Sequence, residues 1–379
     1  MIHIPISIRP RHGCLLLLLV VVTLFRAIPH WASLYTLHIY PLIARCIAPA
    51  SYLVPFSLGD CFIAGSVLWL VLYPICARCI RRRRWKPTAF RMAEYLAWIY
   101  VWFYAAWGIN YSQPGIYART GLKPVPFSRT SFRDFAYRYA DSLNSTFQAA
   151  AADTCKILTQ KEIQQNIADT YRTGRQVRLG IQAPFTSSIP AKTMLFSRLS
   201  SMAGVTGSMG PFFSEFTLND DLQPHEYAAT FAHEYAHFLG IANEGEANFY
   251  SYVYCTISSE PSVRFSGYYH IFFHMLRHVR LLLGEEEYKR FLRHIHPDVV
   301  RQARHDRTYW LSRRSTAIDS VQDFIFNLYL HGNHVEGGIR SYAGVVALIM
   351  AYEERNQTSR PSLPPAYKAA KPNSRLRTK

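Results

Sequence analysis

The stretch Phe231-Ala-His-Glu-Tyr-Ala-His-Phe-Leu-Gly240 contains the pattern HExxH. If this stretch is helical, His233 and His237 lie on one face, because an α-helix turns once every 3.6 residues. Glu234 then lies about 100° round the helix, where it can reach a water held on a metal without being a ligand itself. The spacing therefore predicts two metal ligands, His233 and His237, and one general base, Glu234.

The residues around the motif favour a buried helix. Pro224 stands where a first-turn proline is tolerated, and Gly240 stands where a helix would end. Apolar residues cover most of the helix circumference between them, which is typical of a helix in a domain core. Buried histidines and a buried glutamate need partners, since unpaired polar groups in a core cost several kcal/mol. A metal ion would satisfy all three, so we interpret the motif as a metal site and not as a chance string.

A catalytic zinc site has three protein ligands and an open position for water. Behind the motif, Glu244 and Glu246 are both candidates for the third ligand. The segment Glu244-x-x-Ala247-Asn248 resembles the E-x-x-A-D helix of glutamate-ligand zinc peptidases such as the membrane CAAX prenyl proteases. That resemblance implies Zn2+ bound by Glu244, with Asn248 in the place of an aspartate that orients a histidine. Glu246 stays open as the alternative third ligand.

The composition indicates a membrane protein with a globular part. The chain has 379 residues and a formal charge of +17, with 49% hydrophobic, 15% aromatic and only 18% charged residues. The basic residues concentrate in two places, between Arg78 and Arg91 behind an apolar segment and in the tail from Lys368 to Lys379. No nucleic-acid-reading motif accompanies them, so we expect no nucleic-acid partner.

Three apolar segments precede residue 111 and predict transmembrane helices over about 13–30, 56–80 and 93–110. The first has no clean small-x-small cleavage site behind it, which favours an uncleaved anchor over a signal peptide. Between the first two lies a proline-punctuated stretch, residues 29–55, that we interpret as a linker. The lipid bilayer is therefore a predicted partner of residues 1–110.

The arginine-rich loop between the second and third segments should be cytoplasmic by the positive-inside rule. An odd number of crossings would then place everything after Asn110 on the other side. We expect a multi-pass protein of the cell (inner) membrane whose catalytic domain is extracytoplasmic. That location is the periplasm in a two-membrane bacterium and the cell exterior otherwise.

Residues 111–356 predict one extracytoplasmic domain. Residues 130–172 predict one or two amphipathic helices with an apolar stripe in the core, namely Phe132, Phe135, Tyr139, Leu143 and Phe147. Within the short β-like pieces of residues 176–218, we take Phe212–Leu218 as the candidate edge strand for substrate, with an ordinary hairpin as the alternative. Residues 321–354 predict a further amphipathic pair, and 357–379 a disordered basic tail. Cys155 and Cys255 could form a disulfide or remain two buried thiols.

Six motifs together give the chain a resemblance to bacterial membrane-anchored HExxH proteins, a family of unknown function regarded as zincin-like. They are Pro55-Phe-Ser-Leu-Gly-Asp60, Trp107-Gly-Ile-Asn-Tyr111, Leu195-Phe-Ser-Arg-Leu199, His233–Gly240, Glu244-Gly-Glu-Ala-Asn-Phe249 and Gly337-Gly-Ile-Arg-Ser-Tyr342. The resemblance implies three spans and a peptidase-like domain, but no substrate. Family members usually have P-F-T-G-E before the active helix, where this chain has Pro211-Phe-Phe-Ser-Glu215.

These observations predict an α+β, mainly helical fold: three N-terminal transmembrane helices followed by a zincin-like metallopeptidase domain. The expected activity is zinc-dependent hydrolysis of peptide bonds in an extracytoplasmic protein or peptide, with Glu234 as general base. Two alternatives are an amidase acting on a cell-wall or lipid-linked substrate and a non-catalytic envelope sensor or assembly protein with a structural metal. His270, His274 and His278 recur every four residues and could form a second metal site or a partly exposed face. The sequence leaves the oxyanion donor and the oligomeric state open.

Overall fold

The computed structural model describes residues 9–153, 157–173, 181, 189–318 and 344–358. Its N-terminal part contains five α-helices. They are α1 (Pro10–Ala27), α2 (Pro29–Leu34), α3 (Tyr40–Ser51), α4 (Leu58–Ile75) and α5 (Trp85–Ala106). Two π-helical turns, Tyr35–Ile39 and Cys76–Ile80, extend this part, and a 3-10 helix, Gly108–Ser112, leads into the domain.

The domain is mainly helical with a small sheet, as the sequence predicts. Its helices are α6 (Ile116–Thr120), α7 (Arg129–Ala152), α8 (Gln160–Thr173), α9 (Ser197–Met202), α10 (Pro224–Phe238), α11 (Glu244–Thr256), α12 (Pro261–Leu283), α13 (Glu285–His294), α14 (Pro297–Arg313) and α15 (Gly344–Thr358). Its strands are β1 (Lys192–Thr193), β2 (Gly207–Gly210) and β3 (Glu215–Leu218). Helices α7, α10, α11 and α12 pack together around one apolar core. The predicted stripe is confirmed, because Phe132, Phe135, Tyr139 and Leu143 are buried there while Phe147 packs against it.

The interpretation of residues 29–55 as a linker was wrong, because most of them are helical. Pro29 and Pro41 stand in the first turns of α2 and α3, where the missing N–H costs no hydrogen bond. Pro49 lies inside α3 close to its end. Pro29 and Pro41 therefore mark the starts of helices.

Two described helices, Pro10–Ala27 and Leu58–Ile80, could cross a membrane by length and composition. The predicted third span over residues 93–110 was wrong. Helix α5 ends at Ala106, and the chain continues in a 3-10 turn. The apolar helical part of the segment is thus shorter than the roughly 20 residues a bilayer requires, because Glu94 lies near its start and the helix ends at Ala106. The odd number of crossings on which the predicted orientation rests therefore has no support from the two candidate spans.

Helix α5 lies against both apolar helices. Arg11 Nη2 donates to Glu94 Oε2 over 3.0 Å, and the hydroxyls of Ser66 and Tyr95 are 2.8 Å apart. At the opposite end of the bundle, the Gly59 amide donates to Glu215 Oε1 over 2.6 Å. The start of α1 and the arginine cluster therefore lie at one end of the helices, and the domain lies at the other.

The sheet has the strand order β1-β3-β2, with β1 parallel and β2 antiparallel to β3. The expectation that Phe212–Leu218 forms the edge was wrong, because its helical neighbours and both other strands bury β3 in the middle. The edge strand beside α10 is Gly207–Gly210. Strand order depends on pairing between distant segments, which the hydrophobic pattern of one segment does not specify.

Three predictions fall wholly or partly outside the described residues. The amphipathic pair over 321–354 is described only from Gly344, where α15 begins. The tail is described only to Thr358. Cys155 lies outside the described part, so its pairing with Cys255 is untested; Cys255 itself is a buried thiol.

Candidate metal centre

Helix α10 starts and stops where the sequence indicates. Pro224 occupies its first turn, and Gln223 and Glu226 form a reciprocal capping box at its start. The helix ends at Phe238, and Gly240 follows with φ +94°, a left-handed conformation that favours glycine. The turn at Gly240 sends the chain back toward α10, so that α11 begins at Glu244 beside the two histidines.

Three ligand-type atoms converge at this turn. His233 Nε2 and His237 Nε2 are 3.0 Å apart, and Glu244 Oε2 lies 3.2 Å from the first and 3.5 Å from the second. Tetrahedral zinc with bonds of about 2.05 Å places its ligand atoms roughly 3.3 Å from one another. The three atoms therefore have the mutual spacing that a zinc ion requires.

A hydrogen bond sets the tautomer of His237. Its Nδ1 lies 2.6 Å from the carbonyl oxygen of Ile241, which can only accept, so Nδ1 carries the proton. Nε2 is then free to act as a ligand, and the backbone carbonyl fixes the ring orientation. Burial would lower the pKa of His237, but the Glu244 carboxylate outweighs it and raises this pKa to about 9. The Glu244 carboxylate thus makes the cluster of His233, His237 and Glu244 a favourable place for a positive charge.

Glu244 is the negative member of this cluster. Burial would raise the pKa of its carboxyl group, but the imidazoles of His237 and His233 outweigh burial and hold this pKa well below its usual range. An ionised carboxylate beside two imidazoles, each of which would give up a proton to bind a metal through Nε2, is a typical donor set for a divalent cation.

Glu234 is the predicted base and lies beside the cluster in a buried position. Its Oε2 has no hydrogen-bond partner among the described residues. An added Cβ on Gly207 would lie 2.4 Å from Glu234 Oε1, so the glycine lets strand β2 approach the carboxylate closely. Burial raises the pKa of Glu234, and His233 and His237 offset part of the rise. An unpartnered buried carboxylate of this kind is suited to holding a proton or a water molecule.

Glu246, the alternative ligand, faces another part of the molecule. Its carboxylate accepts from the Ile116 amide over 2.9 Å and forms an ion pair with Arg119. Burial raises its pKa, and Arg119 offsets part of that rise. The structure therefore brings Glu244, and not Glu246, to the two histidines, and Glu246 instead ties α11 to α6.

Asn248 contacts a histidine that is not in the cluster. Its Oδ1 lies 2.8 Å from His270 Nε2, and the His270 ring centroid is 6.1 Å from that of His233. Burial, with smaller effects from His233 and His274, lowers the pKa of His270 to about 3, so its imidazole is neutral. The predicted group of His270, His274 and His278 forms no metal-type cluster among the described residues, because His278 Nδ1 bonds to the His274 carbonyl.

A cavity of about 710 Å3 contains the site. Its domain wall comes from β2, α10 and α12, including Gly207, Glu234 and His270. Its other wall comes from the N-terminal helical part, α1 to α5 with the 3-10 helix Gly108–Ser112, which we call the helical anchor. The residues on this wall are Ile63, Phe103, Trp107 and Tyr111. A cavity of this size is in the usual range for binding sites of small molecules and short peptide segments.

The helical anchor also contacts the C-terminal end of α10. Tyr40 Oη donates to the Phe238 carbonyl, and Trp107 Nε1 donates to the His237 carbonyl over 3.0 Å. Gln113 Nε2 donates to the Gly240 carbonyl over 2.7 Å. Tyr40 and Trp107 thus bind two of the last carbonyls of α10, which have no partners within the helix, and Gln113 binds a carbonyl of the turn that follows. Sequence reasoning missed them, and the clustering of aromatic donors around Trp107 was the only available signal.

A second group of ligand-type residues lies at the start of α10. His225, Glu226 and Asp306 place one ligand atom each within 4.8 Å of one another. Every one of these carboxylates already accepts from protein donors, namely Tyr269 Oη and Gln302 Nε2 for Asp306, and Trp310 Nε1 and the Gln223 amide for Glu226. This group is therefore a satisfied hydrogen-bond network that joins α10 to α12 and α14.

Residues 35–350 match the family described as Protein of unknown function (DUF3810). The chain belongs to the DUF3810 family. The match includes His233, His237 and Glu244, so the candidate centre lies within the DUF3810 region. That description states no activity, and the zincin-like resemblance stays a prediction. No curated protein and no solved structure matches the chain.

Proposed function

We propose that this DUF3810 chain is a membrane-anchored zinc metallopeptidase. The observation that supports it is the spacing of the His233, His237 and Glu244 ligand atoms at 3.0, 3.2 and 3.5 Å beside an unpartnered buried carboxylate, Glu234. A zinc ion bound there would lower the pKa of a water molecule toward about 7 and polarise a substrate carbonyl. Three protein ligands would leave a position for the water, as a catalytic site requires.

Glu234 acts as the base in this proposal. Its buried carboxylate accepts a proton as the water oxygen bonds to the carbonyl carbon. It then passes that proton to the amine nitrogen as the C–N bond breaks. Burial raises the pKa of Glu234 above its usual value, a direction that favours uptake of the proton in the first step.

Strand β2 provides a place for the peptide. Among the described strands it pairs only with β3, so its other side is an edge that no other described strand occupies. Gly207, Ser208 and Met209 of this strand line the cavity. An extended substrate can pair with such an edge in the manner of an added strand.

The proposed orientation rests on the two ends of the helical anchor. The arginine cluster lies at the ends of α1, α4 and α5 that are remote from the domain, and basic residues stay on the cytoplasmic side. The metal centre lies at the opposite ends. We therefore infer an extracytoplasmic site, with α1 and α4 in the membrane and α5 returning to the domain packed against both of them.

The test compares the purified wild type with Glu234→Gln on a randomised peptide library, with zinc content measured in both. The expected result is about one zinc per chain in each protein, with turnover reduced by roughly 100-fold or more in the variant. Full activity in Glu234→Gln would contradict the role of Glu234. Zinc-loaded wild type without activity on any peptide would favour a structural metal.

A further inference from the structure

The cavity wall built by the anchor indicates what kind of substrate the site receives. Ile63 lines the cavity, and it belongs to Leu58–Ile80, one of the two helices that could cross a membrane. It lies five residues beyond Leu58, which corresponds to about 7.5 Å along the helix axis. The cavity therefore reaches a point within one and a half helical turns of the end of a candidate span.

An apolar stripe continues from this wall along α4. Ile63, Val67, Val71 and Ile75 recur every four residues and share one face. Each is about half exposed, at 51%, 57%, 54% and 52%. An exposed apolar helix face of this kind is typical of a surface in contact with lipid. The surface in contact with lipid would thus run into the cavity without a polar break.

The rim between stripe and metal centre is aromatic. The Phe62 ring packs 4.8 Å from Phe212, and Phe103 packs 6.1 Å from the same ring. Trp102 Nε1 donates to the Phe212 carbonyl over 3.1 Å. These contacts join the helices of the anchor to the segment between β2 and β3, so the aromatic residues beside the cavity are packed directly against the helices that face the membrane in this proposal.

The cavity limits how far a bound chain can extend. A round cavity of about 710 Å3 is roughly 11 Å across, which about three extended residues span at 3.3 Å each. The distance of about 7.5 Å from Leu58 to Ile63 adds roughly two more extended residues. A peptide bond at the metal centre would therefore lie within about ten residues of the membrane.

We propose that the substrate is a polypeptide anchored in the same membrane, which enters along the α4 stripe and is cut within about ten residues of its membrane-spanning segment. This inference rests on the proposed peptidase function. It replaces an unspecified extracytoplasmic peptide by a juxtamembrane segment, which an apolar entrance beside the span would select over soluble chains.

The test uses the full chain in zinc-containing liposomes with three forms of one randomised peptide. One form is free, one is joined to a single transmembrane helix by about three residues, and one is joined by about twenty. Both joined forms are equally concentrated at the membrane, so their comparison isolates the distance from it. The expected result is cleavage of the short-spacer form about ten-fold faster than the long-spacer form, with the free peptide slowest.

Ile63→Trp should reduce cleavage of the short-spacer form by about ten-fold, because a larger ring narrows the entrance. The matched control is Leu68→Trp on the same helix, 58% exposed and off the stripe, which should remain within about two-fold of the wild type. Equal effects of the two variants would contradict the entry route.

The outcomes separate this inference from the function on which it rests. Equal cleavage of all three forms would overturn the juxtamembrane substrate and leave the peptidase intact. No cleavage of any form by zinc-loaded protein would overturn both. A fourth form that carries a fatty-acyl chain in place of the helix completes the test. Faster cleavage of that form alone would overturn a polypeptide anchor in favour of a lipid-linked substrate.

Discussion

Helix α10 carries a group of histidine and acidic residues near each end. Near its start, His225 and Glu226 meet Asp306; near its end, His233 and His237 meet Glu244. Both groups place three ligand-type atoms within 4.8 Å. The first is met by phenol, indole and amide donors, whereas the second has two imidazole nitrogens and a carboxylate facing each other beside a cavity. Residue type alone does not distinguish a metal centre from a structural network. What distinguishes them is whether hydrogen-bond donors of the protein already bind the ligand-type oxygen atoms.

The largest expected difference between the two groups is in metal content. His233→Ala should lose essentially all bound zinc, because a ligand is removed from a three-ligand site. His225→Ala should keep about one zinc per chain. Elemental analysis of the purified proteins measures both. Loss of zinc from His225→Ala alone would reverse the assignment of the two groups.

The two glutamates of α11 provide a second contrast. Glu244→Ala should weaken zinc binding by at least about 100-fold with little loss of stability. Glu246→Ala should keep the zinc affinity but destabilise the fold by about 3 kcal/mol, because Arg119 is left buried without its partner. A zinc-competition titration and thermal unfolding check the pair. Weakened zinc binding in Glu246→Ala and not in Glu244→Ala would show that the third ligand is misassigned.

A smaller effect is expected at the structural group. Asp306→Asn keeps the shape of the side chain but removes the charge that accepts bonds from His225 and Tyr269. The free energy of unfolding should fall by about 2 kcal/mol, with zinc content unchanged. Thermal unfolding measures the loss. An unchanged melting temperature would mean that the charge of Asp306 contributes nothing to this network.

The smallest effect concerns the pH dependence of that loss. Burial would raise the pKa of Asp306, but hydrogen bonds from His225 and Tyr269 outweigh it and lower the pKa to about 2. A lowered pKa contributes stability above the unfolded value near 3.9, and this contribution disappears as pH falls toward 2. The gap in melting temperature between wild type and Asp306→Asn should therefore narrow from pH 5 to pH 2. A gap that widens would contradict this sign.

Local patterns in the sequence specify part of this account. The HExxH spacing, the proline at the start of α10 and Gly240 at its end predict one helix with both histidines on one face, and that helix is present. The amphipathic stripe of α7 is likewise local and is buried as predicted. Both signals depend on helix periodicity within one segment.

The remainder depends on contacts between distant segments. Glu246 is kept from the histidines by Ile116 and Arg119, which precede it by about 130 positions. The edge strand is β2 and not β3, because two other strands flank β3. The third apolar segment has the length of a membrane span in the sequence, but its helix ends at Ala106. The residue pattern within each of these segments does not specify which distant residues or strands it contacts.

The most direct test of the central claim is anomalous diffraction at the zinc absorption edge from crystals of the full chain. We expect a single strong peak bounded by His233 Nε2, His237 Nε2 and Glu244 Oε2, with an open coordination position facing Glu234. A peak between His225 and Asp306, or no peak between the two α10 histidines, would contradict it. A fourth protein ligand at the predicted position would contradict the catalytic role.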